Sequence, residues 1–519
     1  MTRLRRFFVN GMIMTATSLV MSGIGVWFSV YISNRIGSEA MGTYQLIMSV
    51  YSFATTLATS GISFAATRLI SEEIGSSNIG GVRKSVAKCI VYALTFSLIA
   101  GVGLFFLAHP IGEKVLMNPD TIVPMKAMAL GLPFLSVASV FGGYFTAVRR
   151  VAKNSAVQIF EQLLRIVITI TALSLTQGSD LMHICLAIGL SGVIAEIMSF
   201  VSSLLLYRPD SNRYKGESKA SKGLTKKMLT IALPIAFSSY LRSGLLTLKN
   251  LLVPLRLQKS GLSQSASVSF FGMMHGVVLP ILLFSSAFIS SFSGLIIPEL
   301  AEYRARDGRV IGNRSIYYII GRMLTINLIF SICVAAVLYN FAEPISAAMS
   351  EDPNTVIYIK LMAPIVPIMY VDNCVDCILK GLNEQLSSMK YNIIDAAVSL
   401  VLVTFLLPVT GIAGYVVIIC TSEILNFILS LNRLVKITKF RINVLNCFVK
   451  PITAAVISCV ICGFVQNFSQ TNTAFLVLSI LFQIVVYVLV LGLVKGLSKD
   501  DVRWFKKIFA KDRENCIKV

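Results

Sequence analysis

The chain has 519 residues, of which 55% are hydrophobic and only 14% are charged, and its mean hydropathy is +0.77. A soluble protein carries roughly a quarter of charged residues, so this composition excludes a soluble globular protein and favours an all-α membrane protein. The net charge of +21 does not indicate a nucleic-acid partner, because a basic globular domain cannot hide so many apolar side chains.

Apolar stretches of about 20 to 28 residues recur along the chain and are long enough to cross a bilayer core of about 30 Å as helices. We predict about 14 transmembrane helices in an N-terminal six-helix bundle (1–207), a cytoplasmic basic linker (208–227), a C-terminal six-helix bundle (228–434), two additional transmembrane helices (435–494) and a basic amphipathic tail (495–519). The predicted spans are Phe8 to Ile32, Met41 to Ala66, Val86 to Ala108, Pro124 to Ala147, Ser155 to Leu175, Met182 to Tyr207, Met228 to Leu252, Val268 to Ile297, Ser315 to Phe341, Thr355 to Lys380, Met389 to Leu407, Ile412 to Leu434, Phe448 to Asn467 and Thr473 to Val494.

Basic residues set the expected orientation of these spans, because Lys and Arg accumulate in cytoplasmic loops. With the N-terminus inside, 36 of the 46 Lys and Arg residues fall in segments predicted to be cytoplasmic, six fall in outward segments and four fall inside spans. We therefore expect a multi-pass protein of the plasma membrane with both termini in the cytoplasm. Attraction to anionic membrane lipids is a secondary effect of the same charge.

An internal repeat relates the two predicted bundles. A shift of 230 residues places Gly42 on Gly272, and a shift of 234 residues places Lys126 to Val137 on Lys360 to Val371. Because each bundle has an even number of helices, both begin on the same side of the membrane. The repeat therefore predicts a transporter with a central cavity.

The chain resembles the stage V sporulation protein B and polysaccharide exporter family, within the multidrug, oligosaccharidyl-lipid and polysaccharide flippase superfamily that includes the MurJ-like flippases. The resemblance covers roughly Phe7 to Leu434. MurJ-type proteins carry arginines in helix 1, whereas no basic residue lies between Arg6 and Arg35 here. The segments that carry the resemblance are GSEAMGTYQLIMSVYSFATTLATSGISFAATRLISEE (Gly37 to Glu73), GGYFTAVRRVAKNSAVQIFEQLLRI (Gly142 to Ile166) and KGLNEQLSSMKYNIIDAAVSL (Lys380 to Leu400).

The resemblance implies a flippase that moves a polyprenyl-pyrophosphate-linked saccharide, a precursor of the cell wall, the spore cortex or another polysaccharide, by alternating access. Its partners would be this lipid-linked saccharide, membrane lipids and H⁺ or Na⁺ as coupling ion. Two other functions stay open. A multidrug or cation antiporter of the same superfamily would need an acidic cavity in the first bundle. A non-transporting membrane scaffold for envelope synthesis would need neither a repeat nor buried charges.

Motifs for catalysis or cofactor binding are missing from the sequence. There is no GxxxxGK[ST] phosphate loop, and no predicted loop is long enough to carry an aqueous active site. The pairs Cys374/Cys377 and Cys459/Cys462 have the spacing of metal or redox sites, but both lie inside predicted spans, where cysteine acts as a small apolar residue. We expect no enzymatic activity, no cofactor and no metal.

Basic residues inside the spans are the candidates for substrate binding, because a charge in lipid costs at least about 2.5 kcal/mol and is expected to face water or the protein interior. Arg242, Lys249 and Arg256 recur every seven residues in predicted helix 7, which places them on one face about 10 Å apart. Such a stripe can bind phosphate oxygens. Alternatively, Arg256 lies in the outer loop beyond Pro254 and Lys249 reaches the membrane interface.

Acidic residues inside the spans are the candidates for the coupling ion. Asp372 and Asp376 lie four residues apart in predicted helix 10, so both carboxylates share one face and can hold a proton or Na⁺ between them. Interhelical hydrogen bonding is the alternative.

Three glutamates complete the set of candidates. Glu196 and Glu423 occupy equivalent helices of the two bundles and are further coupling-ion candidates. Glu161 and Arg165 lie four residues apart, and we expect them to form a structural or gating charge pair.

Cysteine labelling tests the orientation. In a variant without native cysteines, a reagent confined to the outside is expected to modify Asp180→Cys and Gly411→Cys, because both positions lie in predicted outward loops. It should not modify Lys219→Cys in the basic linker. Modification of the cysteine at position 219 from outside would contradict the topology.

Overall fold

The computed structural model describes residues 3–59, 61–76, 78–176, 180–214, 223–290, 314–349, 352–439, 448–466, 473–494 and 496. Within them the chain forms α-helices joined by short turns and no strand, which confirms the all-α class. The predicted tail after residue 496, residues 215–222 of the predicted linker and residues 291–297 of the eighth predicted span lie outside the described residues.

Eighteen α-helices lie within the described residues, and short 3-10 or π turns extend some of them. The helices are α1 (Arg3–Thr59), α2 (Ile62–Gly75), α3 (Ile79–Pro110), α4 (Ile122–Ala129), α5 (Leu132–Ala147), α6 (Val151–Leu175), α7 (Leu181–Ser211), α8 (Leu224–Lys259), α9 (Gln264–Met273), α10 (Leu279–Leu283), α11 (Arg314–Asn340), α12 (Ala342–Met349), α13 (Thr355–Met362), α14 (Val366–Gly381), α15 (Gln385–Phe405), α16 (Leu407–Thr438), α17 (Lys450–Gln466) and α18 (Thr473–Leu493).

Apolar side chains cover the outer faces of these helices as well as the core. Phe106 of α3 is 71% exposed and Leu489 of α18 is 63% exposed, which would be costly in water and is expected in lipid. Helices satisfy their own backbone hydrogen bonds, so they can lie in a medium that offers none. The chain is a multi-pass membrane protein.

By length and apolar composition, eleven helices within the described residues can cross a membrane, or twelve if the bent pair α4 and α5 forms one span. The predicted count of fourteen is therefore not confirmed. One difference arises at Thr17–Gly75, which counts as a single stretch of 59 residues. At 1.5 Å per residue it would measure about 88 Å, far more than a bilayer core of about 30 Å.

Gly37 divides this long stretch. Its φ of 81° and ψ of 165° are not helical, and this region of backbone space is accessible essentially only to glycine. A second difference arises at α17, which has 17 residues and lies at the lower limit for a spanning helix.

The chain forms two compact units. The first comprises Met1–Pro280 and Asn392–Ile418, and the second comprises Ile281–Tyr391 and Ile419–Val519. The predicted division into bundles at residues 207 and 228 stays a prediction. In the first unit, a buried core lies between α2, α3 and α5. Its largest fully buried members are Ile62, Leu69, Ile70, Phe141, Tyr144 and Phe145.

The two segments related by the 234-residue shift are interrupted in the same way. α4 and α5 meet at a bend of 44°, and Pro133 lies in the first turn of α5. The later segment is interrupted by the 3-10 turn Ala363–Ile365, and Pro367 lies in the first turn of α14. A proline is tolerated at this place because its missing N–H has no partner in the first turn.

A close backbone contact joins α1 to α9 in the first unit. A Cβ atom on Gly42 would overlap the carbonyl of Val268, and one on Gly272 would overlap the carbonyl of Ser38. Gly42 and Gly272 are equivalent in the repeat, so the same surface of each repeat meets its counterpart, as at a two-fold axis. Small residues at such contacts allow helix backbones to approach closely in membranes.

We expect Gly42→Ala to lower the midpoint of thermal unfolding, because the new methyl group overlaps the Val268 carbonyl and overpacking costs about 1 to 3 kcal/mol. Gly103→Ala in α3 is the matched control, since its Cβ would meet nothing within 4 Å. Alanine is the better helix former, so this control should be neutral or slightly stabilising. Size-exclusion chromatography of heated protein in detergent gives both midpoints. Equal midpoints would contradict the contact.

Candidate functional site

Three of the candidate residues meet inside the first unit. Nη2 of Arg165 lies 3.2 Å from Oε1 of Glu161, one turn away on α6. The same nitrogen lies 3.9 Å from Oε1 of Glu196 on α7, whose side chain is only 5% exposed. The structure therefore adds Glu196 to the charge pair that the sequence predicts on α6.

Tyr51 of α1 completes this cluster and was not found from the sequence. Its Oη lies 2.9 Å from each carboxylate oxygen of Glu196 and donates its proton to that carboxylate. A tyrosine in an apolar helix needs a partner for its hydroxyl group, but its partner lies 145 residues away in the chain. We call Tyr51, Glu161, Arg165 and Glu196 the charge cluster.

The bend between α4 and α5 makes room for Glu196. A Cβ atom on Gly131 would overlap Oε2 of Glu196, so only glycine fits at this position. A cavity of about 20 Å³ lies beside the cluster and is lined by Tyr51, Arg165 and Glu196 together with Thr169 and mainly apolar neighbours. This volume accommodates about one water molecule.

The charge cluster is acidic as a whole. Two ionised carboxylates around one guanidinium leave one negative charge unbalanced, and a proton or a bound monovalent cation would balance it. Nε of Arg165 is buried and makes no hydrogen bond within the described part of the chain. The cluster can therefore exchange a single positive charge, which is the chemistry expected of a coupling site.

The three basic residues of the predicted stripe all lie on α8, which continues through Pro254 to Lys259. Arg256 is therefore helical and does not lie in a loop. Arg242 is exposed, and Lys249 and Arg256 are half-buried. Nε of Arg256 is buried and has no hydrogen-bond partner among the described residues.

Asp372 and Asp376 lie on one face of α14 but bind different partners in the second unit. Nδ2 of Asn426 on α16 donates to Oδ2 of Asp372 at 2.8 Å, and Oγ of Ser388 on α15 donates to Oδ1 of Asp376 at 2.7 Å. Asp372 is buried and Asp376 is half-buried. Glu423 is half-buried on α16, one turn before Asn426.

We expect Arg165→Gln to destabilise the protein by about 3 kcal/mol, because it leaves the carboxylates of Glu161 and Glu196 without a cation. This value is at the lower end for a broken buried ion pair, since the Arg165 side chain is 28% exposed. The double variant Arg165→Gln with Glu196→Gln should recover part of the loss. Thermal unfolding of the purified variants measures both effects.

Arg68→Gln is the matched control. Arg68 and Glu72 also lie four residues apart with a distance of 3.2 Å, but their side chains are 57% and 36% exposed. Loss of such a surface pair costs at most about 1 kcal/mol. An equal loss of stability in Arg165→Gln and Arg68→Gln would show that the charge cluster is not effectively buried.

Curated relatives of similar length match the chain. It is 22% identical to stage V sporulation protein B of Bacillus subtilis (strain 168) over 518 residues, which cover 96% of this chain and 98% of the relative. It is 19% identical to sporulation protein YkvU of the same organism over 342 residues, covering 65% of this chain and 74% of the relative.

Solved structures of membrane transporters share the fold. The structure titled lipid II flippase MurJ, inward closed conformation, has a TM-score of 0.65 at 14% identity and covers 96% of this chain and 99% of its own. An inward-facing multidrug resistance MATE family transporter of the MOP superfamily has a TM-score of 0.57 at 15% identity and covers 82% of this chain and 99% of its own. At these identities the similarity establishes the fold alone.

A family model described as polysaccharide biosynthesis protein matches residues 8–303, which is more than half of the chain. This match agrees with the resemblance carried by residues 37–73 and 142–166. The chain belongs to the polysaccharide biosynthesis protein family.

Proposed function

We propose that the protein is a flippase that translocates a polyprenyl-pyrophosphate-linked saccharide across the plasma membrane by alternating access, with both termini in the cytoplasm. It has no enzymatic activity in this proposal. The headgroup crosses along a hydrated path while the polyprenyl tail stays in the bilayer. The saccharide is a precursor of the cell wall, the spore cortex or another polysaccharide.

The observation that carries this proposal is the length of the matches within the polysaccharide biosynthesis family. Stage V sporulation protein B and the MurJ lipid II flippase both cover 96% of the chain. The multidrug transporter covers 82% and leaves the remaining 18% unmatched. A full-length correspondence therefore supports a flippase of lipid-linked precursors over a drug transporter.

Arg242 supports an anionic headgroup. It lies near the middle of the 36 residues of α8, about 26 Å from either end at 1.5 Å per residue. That distance is too great for the side chain to reach the membrane surface, and an arginine exposed to lipid costs at least about 2.5 kcal/mol. Because Arg242 is exposed on the helix, we assign it to the hydrated path, where it binds pyrophosphate oxygens.

The opposite side of α8 is occupied by contacts with α1. Oγ of Ser243 donates to Oγ1 of Thr56 at 3.1 Å, and Oγ1 of Thr247 donates to the carbonyl of Ser49 at 3.1 Å. Nδ2 of Asn250 donates to Oγ of Ser49 at 3.2 Å. These contacts fix the rotation of α8 and leave the face of Arg242, Lys249 and Arg256 to the substrate.

The acidic charge cluster is the feature that the antiporter alternative requires in the first bundle. However, its cavity of about 20 Å³ is far smaller than the roughly 300 to 1,000 Å³ of a site for a drug-sized molecule. We therefore assign the cluster to a proton or Na⁺ that is coupled to flipping. Asp372 and Asp376 are the second candidate for the same role.

The experiment for this function is reconstitution into liposomes with a fluorescent polyprenyl-pyrophosphate saccharide, in which headgroup accessibility is measured on each side. We expect Arg242→Gln to weaken substrate binding about ten- to a hundredfold, since a charge-assisted contact contributes about 1.5 to 3 kcal/mol. Arg242→Lys should retain part of the affinity, because it keeps the charge and loses the bidentate geometry.

Lys226→Gln is the control for Arg242→Gln. Lys226 is an exposed cation in the first turn of α8, where water already surrounds it, so its removal should leave binding unchanged. Parental binding and flipping by Arg242→Gln would contradict the assignment of α8 to the substrate path.

We expect the double variant Asp372→Asn with Asp376→Asn to be produced at near-parental amounts, because asparagine keeps an acceptor oxygen for Asn426 and Ser388. It should change the dependence of flipping on pH or Na⁺. Glu343→Gln, whose exposed carboxylate pairs with Lys360, is the control. Failure of the double variant to accumulate, with normal amounts of Glu343→Gln, would indicate a structural role for both aspartates.

A further inference from the structure

A second cavity lies in the first unit, apart from the charge cluster and from Arg242. Its volume is about 250 Å³, and its walls come from α1 just after Gly37, from the turns that follow α3 and from the first residues of α9. In the proposed topology all three segments lie at the outer surface of the membrane. We call this space the outer cavity. Its polar lining consists of Glu39, Thr43, Asn118, Thr121, Gln264 and Ser265.

Hydrogen bonds hold the walls of the outer cavity together. Oγ of Ser265 donates to Oε2 of Glu39 at 2.6 Å and so links α9 to α1. Nε2 of Gln264 donates to the carbonyl of Met117 at 3.3 Å and links α9 to the turn after α3. Oδ1 of Asn118 accepts a hydrogen bond from the backbone N–H of Asp120 at 3.0 Å. The lining residues are therefore fixed before any ligand binds.

Several hydrogen-bonding atoms of this lining remain available. Oε1 of Glu39, Nδ2 of Asn118 and Oε1 of Gln264 make no hydrogen bond within the described ranges of the chain. Together they offer two acceptors and one donor group at the cavity wall. Leu46, Leu116 and Val268 provide an apolar part of the same lining. A ligand with several hydroxyl or amide groups and a small apolar face matches this set.

The charges at the outer cavity exclude a phosphate ligand. No lysine or arginine lines it, and the carboxylate of Glu39 would repel an anion. The volume of about 250 Å³ lies just below the usual range for small-molecule sites, which begins at about 300 Å³. The space therefore suits a single compact group such as one sugar ring.

We propose that the outer cavity is a saccharide subsite that binds a neutral, N-acetylated sugar ring of the translocated headgroup on the outer side of the membrane. The ring hydroxyls donate to Glu39 and Gln264, the acetamido carbonyl accepts from Asn118, and the acetamido methyl group packs against Leu46, Leu116 and Val268. This subsite rests on the proposed flippase function and adds a place where the sugar is held, separate from the pyrophosphate contact at Arg242.

Binding of a soluble sugar tests the subsite directly. The full-length protein in lipid nanodiscs is titrated with the disaccharide of N-acetylglucosamine, and saturation-transfer NMR reports which protons contact the protein. We expect weak binding with the strongest transfer to the acetamido methyl group. Cellobiose, which lacks that group, should bind more weakly. Absence of saturable disaccharide binding would overturn the proposal.

Asn118→Ala and Gln264→Ala should each weaken disaccharide binding about fivefold, the effect of one lost hydrogen bond. Asn354→Ala is the matched control, because Asn354 is also an exposed turn asparagine whose backbone N–H accompanies a side-chain contact with an aspartate. Equal effects of Asn118→Ala and Asn354→Ala would overturn the assignment to the outer cavity. Unchanged thermal unfolding of all three variants excludes misfolding as the cause.

Competitors distinguish the other possible occupants. Inorganic pyrophosphate and Na⁺ should not displace the disaccharide, and displacement by either would overturn the proposal in favour of an ion site. Flipping in the same preparation separates this inference from the function. Normal flipping without disaccharide binding overturns the subsite alone, whereas disaccharide binding without flipping supports the subsite and overturns the flippase function.

Discussion

The contact between Gly42 and Gly272 is the constraint on which the first unit depends. At this point two helix backbones touch, and neither position has room for a methyl group. Because lipid provides no hydrophobic driving force between helices, close van der Waals contact of this kind is a main source of their association. The position of α9 against α1 in turn brings Ser265 to Glu39. A single steric requirement therefore determines where several polar groups of the outer surface meet.

Polar groups in this protein follow one rule, which is that each charge within the helices has a specific neighbour or an exposed position. Glu196 has Tyr51 and Arg165, and Asp372 has Asn426. Arg242 is exposed. Leaving any of them in lipid without such an environment would cost several kcal/mol. The arrangement thus separates charges that are held by the protein from one that is available to a ligand.

Much of this fold could be predicted from the sequence, because apolar length and basic loops are local signals. The pair Glu161 and Arg165 was also predictable, since four residues make one helical turn. The link from Glu196 to Tyr51 was not, because it joins positions 145 residues apart and depends on how α1 packs. The conformation of Gly37 was equally hidden, since the sequence does not tell a glycine inside a helix from one that interrupts it.

The hydrogen bonds between α8 and α1 have a consequence for the energy of movement. Four of them involve neutral side chains, including the one that Oη of Tyr240 donates to the carbonyl of Leu57 at 3.1 Å. Bonds of this kind within a bilayer contribute about 0.6 kcal/mol each. Their sum is close to the roughly 2.3 kcal/mol that one elementary charge gains in crossing 100 mV. The electrical energy of a single charge is therefore sufficient to offset the hydrogen bonds of this helix contact, without hydrolysis of a nucleotide.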